Sequence, residues 1–119
     1  MRKIAFVLAS VMLAACASTP VPADKLANSQ AAVRSAEEMN AERNPDAALY
    51  LRLAREQLDD AKKKIKDGDN ERATYVLARA QADAEVALNL AREAQTRADA
   101  QKTIESVQQI KAQMEGSKS

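Results

Sequence analysis

Covalent chemistry in this sequence centres on one thiol, Cys16, the single cysteine among 119 residues. The chain has no His, so it lacks the side chain that most often acts as general base, triad member or metal ligand. Its two glycines, Gly68 and Gly116, are too far apart to form a phosphate-cradling loop. The densest ionic cluster places Asp59 and Asp60 beside Lys62, Lys63 and Lys64. Adjacent residues on a helix do not face one another, so this cluster reads as solvated surface rather than a site. The sequence therefore predicts no catalytic residue, no metal site, no bound cofactor and no evident small-molecule substrate.

The flanks of Cys16 give the thiol a context. Arg2 and Lys3 form a short positive segment ahead of an apolar run from Ile4 to Ala15, which is the layout of a secretory signal peptide. That run is about twelve residues, short of the roughly 20 needed to span a bilayer as a helix. An ordinary signal peptide cut near Ala17 and a buried structural cysteine are the plain alternatives. A lone cysteine in an exported chain forms no internal disulfide, however, and needs another use.

The four residues Leu13-Ala14-Ala15-Cys16 resemble the bacterial lipobox. The resemblance implies that the thiol of Cys16 receives a diacylglycerol, that residues 1–15 are removed, and that the new amino group is acylated. One acyl chain holds a protein only marginally, whereas two or more anchor it stably. By analogy with sorting in Gram-negative bacteria, Ala17 and Ser18 after the cysteine imply the outer membrane, facing the periplasm.

Composition limits the nature of the mature domain. Aromatic residues make up 3% of the chain, charged residues 29%, and the formal net charge is +1. Loss of Arg2 and Lys3 with the signal leaves the mature chain near −1. Such a weak field recruits neither nucleic acid nor acidic lipid. With two Gly and three Pro against a background of Ala, Leu, Glu, Lys, Arg and Gln, the expectation is one all-α domain over residues 24–115.

Pro20 and Pro22 mark residues 16–23 as an extended tether. A first helix is expected from about Asp24 to Ala41, with Leu26, Val33, Ala36 and Met39 as a thin apolar stripe. Asn44 directly before Pro45 is a helix start, because Asn caps free N–H groups and Pro tolerates the first helical position. The second helix runs over about 45–67, Gly68 marks a tight turn, and the third covers about 70–115, or roughly 68 Å at helical rise. Residues 116–119 are expected to be a disordered tail. Asp59 with Lys63, Asp60 with Lys64, and Glu93 with Arg97 stand at i, i+4 and support exposed faces.

The clearest pattern is a register. On helix 2, Ala47, Leu51, Ala54, Leu58, Ala61 and Ile65 repeat at spacings of four and three, as do Ala73, Leu77, Ala80, Ala84, Ala87, Ala91, Ala94 and Ala98 on helix 3. These are heptad seams. For an antiparallel hairpin the numbers of facing residues sum to a constant, and the pairs from Ile65 with Ala73 to Ala47 with Ala91 all sum to 138. Alanine seams allow close backbone approach but bury little area, so at about 25 cal/mol per Å² such a hairpin needs further cover.

Tyr50 and Leu53 on helix 2 share a side and a level with Val86 and Leu90 on helix 3, flanked by Leu49, and the simplest arrangement folds helix 1 onto that face as a three-helix bundle. The alternative carries helix 1 past a kink at Pro45 to lie against Ala100, Ile104, Val107 and Ile110, giving a long coiled-coil rod. In the bundle this distal stripe, with Met114, stays uncovered, which points to a partner or a second copy. The phase change after Ala98 is a stutter in either case.

The span from Pro45 to Ala98, with its alanine repeat and the Lys66-Asp67-Gly68-Asp69 turn, resembles an Ala-rich helical domain of unknown function found in Gram-negative envelope lipoproteins. Some members carry a peptidoglycan-binding domain like that of outer membrane protein A; no such segment is expected within these 119 residues, so the resemblance does not by itself imply wall binding. The hairpin also resembles a single tetratricopeptide unit without its Trp and aromatic positions, a likeness of shape, since one unit makes no groove. The expected function is a non-catalytic lipoprotein that presents a helical bundle to an envelope protein through Tyr50, Leu53, Val86 and Leu90 or through Ile104, Val107, Ile110 and Met114. The alternative is a self-assembling structural protein resembling the small Ala-zipper murein lipoproteins, which usually lack a central turn like that at Gly68.

Overall fold

The computed structural model describes residues 19–117. The signal segment, the lipobox residues Leu13, Ala14 and Ala15, Cys16, and the last two residues of the tail lie outside the described residues. Within them the chain is helical, with α1 at Ala23–Glu38, a 3-10 turn at Ala41–Arg43, α2 at Pro45–Lys66 and α3 at Asn70–Gly116. No strand occurs among the described residues.

Each boundary has a local cause. The Asn44 side chain accepts from the N–H groups of Asp46 and Ala47 at 2.9 and 3.0 Å, and Pro45 takes the first helical position of α2. At the other end Gly68 N–H donates to Ile65 O at 3.1 Å and Asp69 N–H to Lys64 O at 2.8 Å. These are the two bonds of a Schellman cap. Gly68 holds φ at +81°, and a Cβ added there meets nothing within 4 Å, so the need for glycine is conformational rather than steric. Asp69 then caps α3 by accepting from Arg72 N–H.

The hairpin keeps to the predicted seams. Buried positions on α2 are Ala47, Leu51, Ala54, Leu58 and Ala61, and on α3 they are Ala73, Leu77, Ala80, Ala84, Ala87 and Ala91. Only Ile65 among the expected seam pairs is half-buried. Alanine alternates with leucine along this line, so layers fill without large voids while the backbones stay close.

α1 ends earlier than expected, at Glu38 rather than near Ala41. Asn40 enters the left-handed region at φ 55° and breaks the helix, and Ala41 is tucked into the core from the adjoining 3-10 turn. Asn tolerates that conformation better than most residues. The link then turns α1 alongside α3, parallel to it, so the proximal half of the molecule is a three-helix bundle. Three contacts set this out: Asn70 Nδ2 donates to Thr19 O at 2.7 Å, Ser29 Oγ sits 2.9 Å from Leu77 O, and Met39 to Pro45 border Ala91, Ala94 and Gln95.

Beyond that point α3 continues alone. Every residue from Gln95 to Ser117 is exposed. The arrangement in which α1 covers the distal stripe is therefore not the one adopted.

Candidate functional site

Two apolar surfaces lack a partner among the described residues, and the placement of α1 determines one of them. Arg55 on α2 reaches α1 and the link: its Nε donates to Glu37 Oε1 at 2.8 Å and one Nη donates to Glu42 Oε1 at 2.6 Å. Two residues on, Gln57 points the other way, across the hairpin, where its Nε2 donates to Asp83 Oδ2 at 2.7 Å. At about 100° per residue, positions 55 and 57 flank the seam on opposite sides. α1 occupies the Arg55 side.

This corrects the expectation that α1 folds onto Tyr50, Leu53, Val86 and Leu90. Tyr50 and Leu53 lie seven and four residues before Gln57, and Val86 and Leu90 three and seven after Asp83, so all four belong to the side away from α1. Val86 is 38% exposed and Leu49 46%, while Tyr50, Leu53 and Leu90 are half-buried against the seam. The physical tie to that side is polar as well as apolar: Arg55 reaches Glu37 and Glu42, and the Ser29 hydroxyl reaches Leu77 O, while Ser29, Val33 and Ala36 are buried and Leu26, Ala32 and Met39 half-buried on the core.

Ser29 is the core position that hydrophobic patterning misses. It is fully buried, and its hydroxyl lies 2.7 Å from Lys25 O and 2.9 Å from Leu77 O. Its signal in the sequence is position alone, since Leu26, Ser29, Val33 and Ala36 keep the spacing of three and four.

The second surface is the distal stripe. Ile104, Val107, Ile110 and Met114 are 51%, 59%, 57% and 59% exposed, a run of large apolar side chains on a helix with nothing beside it. Single exposed hydrophobics are ordinary, but a contiguous stripe marks an interaction surface.

Among the described residues one group has a resolved shift in its protonation equilibrium. Arg55 has its pKa raised from an already high value by hydrogen bonds to Glu42 and then Glu37. Among the pairs anticipated on exposed faces, Asp60 with Lys64 and Glu93 with Arg97 form, whereas Asp59 bonds Lys62 at 3.2 Å instead of Lys63. Among the described residues no group of His, Cys, Asp and Glu is arranged to hold a metal ion, and no helix is long and apolar enough to cross a membrane. The side-chain oxygens of Gln57 and Asn70 are buried without a hydrogen-bond partner.

Residues 24–103 match a family described as a domain of unknown function, DUF4398. The chain belongs to this family. The DUF4398 span takes in α1, both turns, α2 and α3 as far as Thr103, so it includes the open Tyr50 face and stops one residue before Ile104. Neither a curated protein nor a solved structure matches the chain.

Proposed function

We propose that this DUF4398 protein is a non-catalytic envelope lipoprotein, anchored through Cys16 to the periplasmic face of the outer membrane, that acts by docking an envelope protein or a second copy of itself on its uncovered helix faces. The observation that carries this reading is the distal half of α3, which holds four large apolar side chains in solvent on a helix without a partner. A chain that lacks His and convergent carboxylates has little other chemistry to offer, whereas two aligned apolar faces are what helix-in-groove recognition uses.

The fold also relates the anchor to those faces. Thr19 O is bonded to Asn70 at the start of α3, and three residues of chain span at most about 10 Å. A lipid carried three residues before Thr19 would therefore be tethered near the end of the bundle where α3 begins. α3 has 47 residues, and its far end lies about 70 Å from that point. The distal stripe is thereby held well clear of the lipid.

The Ala-zipper alternative has less support, because the alanine seam residues of α2 and α3 that it would use are buried. The test of the anchor is Cys16→Ser, which should move the protein from the membrane fraction to the soluble periplasmic fraction. Retention in the membrane fraction argues against lipidation. A photo-crosslinking residue at Leu53 or Val107 in cells should yield defined adducts, and their absence at both positions argues against docking.

A further inference from the structure

We infer that the distal stripe of α3 pairs with the same stripe of a second copy, antiparallel, about a two-fold axis at Val107. This rests on the reading of the stripe as an interaction surface and names its occupant. The stripe runs Ala100, Ile104, Val107, Ile110 and Met114, at spacings of four, three, three and four. That spacing is the same read in either direction. Two such helices laid antiparallel therefore bring Val107 against Val107 of its copy, Ile104 level with Ile110, and Ala100 level with Met114, so that the smallest residue meets the longest and the layers keep an even volume.

Charge agrees with this direction. Arg97 and Glu115 are eighteen residues apart, five helical turns at about 3.6 residues each, and so project from the same flank of the stripe. In an antiparallel pair like flanks meet, and Arg97 of each copy comes beside Glu115 of the other. Lys111, next to Ile110, comes level with Thr103. A parallel pair would set Lys111 beside Lys111, Ala100 against Ala100 and Met114 against Met114, giving a like-charge contact and uneven layers.

Sterics set the limit of overlap. In this register Gly116 of one copy reaches the level of Ala98 in the other, just beyond Ala94 and Gln95, where the α1–α2 link closes over α3. The bundle thus acts as a stop, and the solitary segment is used over its full length. A lipid surface is the poorer occupant. Residues 95–117 contain no aromatic residue, and their three positive and three negative charges alternate along the chain, whereas interfacial helices carry a basic face and aromatic or leucine anchors.

Because Thr19 ties each N-terminal segment to the start of its own α3, the two anchors of such a pair lie at opposite ends. Asn70 and Val107 are 37 residues apart, so the anchors are separated by about 110 Å at helical rise. The pair forms a rod lying along one membrane or bridging two surfaces. Only a few large side chains per copy meet, an interface at the small end of the range, so the pairing is reversible and depends on concentration.

The test uses the chain from Ala17 onward, which holds every described residue and no native cysteine. Sedimentation should show a monomer–dimer equilibrium in the micromolar range, shifted to monomer by Val107→Asp with the urea unfolding midpoint of the bundle unchanged. On oxidation Val107→Cys should crosslink to itself. Ala100→Cys should not, but should crosslink to Met114→Cys when the two are mixed, while Gln109→Cys on the opposite face serves as the control. Self-crosslinking of Ala100→Cys overturns the antiparallel register. A wild-type chain that stays monomeric, with Val107→Cys crosslinking no faster than the control, overturns the pairing altogether. Adducts from Val107 to a different envelope protein, with no dimer, would also overturn it and leave the proposed docking function standing.

Discussion

The Ser29 hydroxyl lies 2.9 Å from the backbone carbonyl oxygen of Leu77, 48 residues away in sequence, at a point where both residues are fully buried. A side chain of one methylene and one oxygen reaches a helix backbone only when the two helices lie very close. Ser29 thus marks a close approach of α1 to α3, and it ties α1 in height as well as in side.

Ser29→Leu should therefore cost about 1–3 kcal/mol, because the added volume pushes α1 off α3. Ser29→Ala should cost less, about 0.5–1 kcal/mol, since Leu77 O retains its helical partner and only the shared bond is lost. Urea unfolding midpoints of the two variants against wild type measure both effects. A Leu variant as stable as wild type would contradict the close approach.

Gly68→Ala should destabilise by about 1 kcal/mol, the cost of placing a Cβ in the left-handed region, although the site has room for it. Gly68→Asn should lose less, because Asn enters that region more readily. Thermal unfolding of both variants gives the ordering, and an Ala variant equal to wild type would mean that the Schellman cap is not retained in solution.

Arg55 joins α2 to Glu37 at the end of α1 and to Glu42 in the link. Its side chain is 43% exposed, so solvent screens these bonds and Arg55→Met should cost only about 0.5–1 kcal/mol, less at high salt. The raised pKa of Arg55 sets the sign of its pH dependence. Its contribution is complete below the ordinary arginine value and is lost only as pH climbs through the raised one. The stability difference between Arg55→Met and wild type should accordingly stay flat from pH 7 to pH 10, a range well under the ordinary arginine value. A difference that disappears within that window would place the effect on another group.

How far the sequence determines this fold can be judged residue by residue. The α2–α3 hairpin is legible because three independent signals agree: the Asn44-Pro45 start, the Gly68 turn and the constant sum of the alanine and leucine pairs. The side taken by α1 is not legible. A short link permits either side, and the larger apolar residues Tyr50, Leu53, Val86 and Leu90 make the wrong side the more hydrophobic one. What ties α1 to its side is long-range: the Ser29 hydroxyl against Leu77 O and the reach of Arg55 to Glu37 and Glu42. Asn40 shows the same limit, since nothing in local composition marks it for the left-handed conformation that ends α1 at Glu38. The open Tyr50 face is legible as a set of residues, but whether the chain covers it depends on that long-range choice.

The solitary part of α3 should be far less protected than the part within the bundle. An isolated helix of this length is marginal in water, since nucleation is costly and most helical stability comes from packing. Amides from Ala98 to Gly116 have only local support, such as the Glu93 to Arg97 ion pair and the Gln101 to Glu105 hydrogen bond. Amides from Leu77 to Ala91 instead open with the whole bundle. Hydrogen exchange on the Val107→Asp chain should show this contrast as a difference of at least about tenfold in protection. In the wild-type chain at high concentration, protection of the distal segment should rise with the dimer fraction. Strong protection there in the dilute variant would mean that the helix is held by something other than pairing.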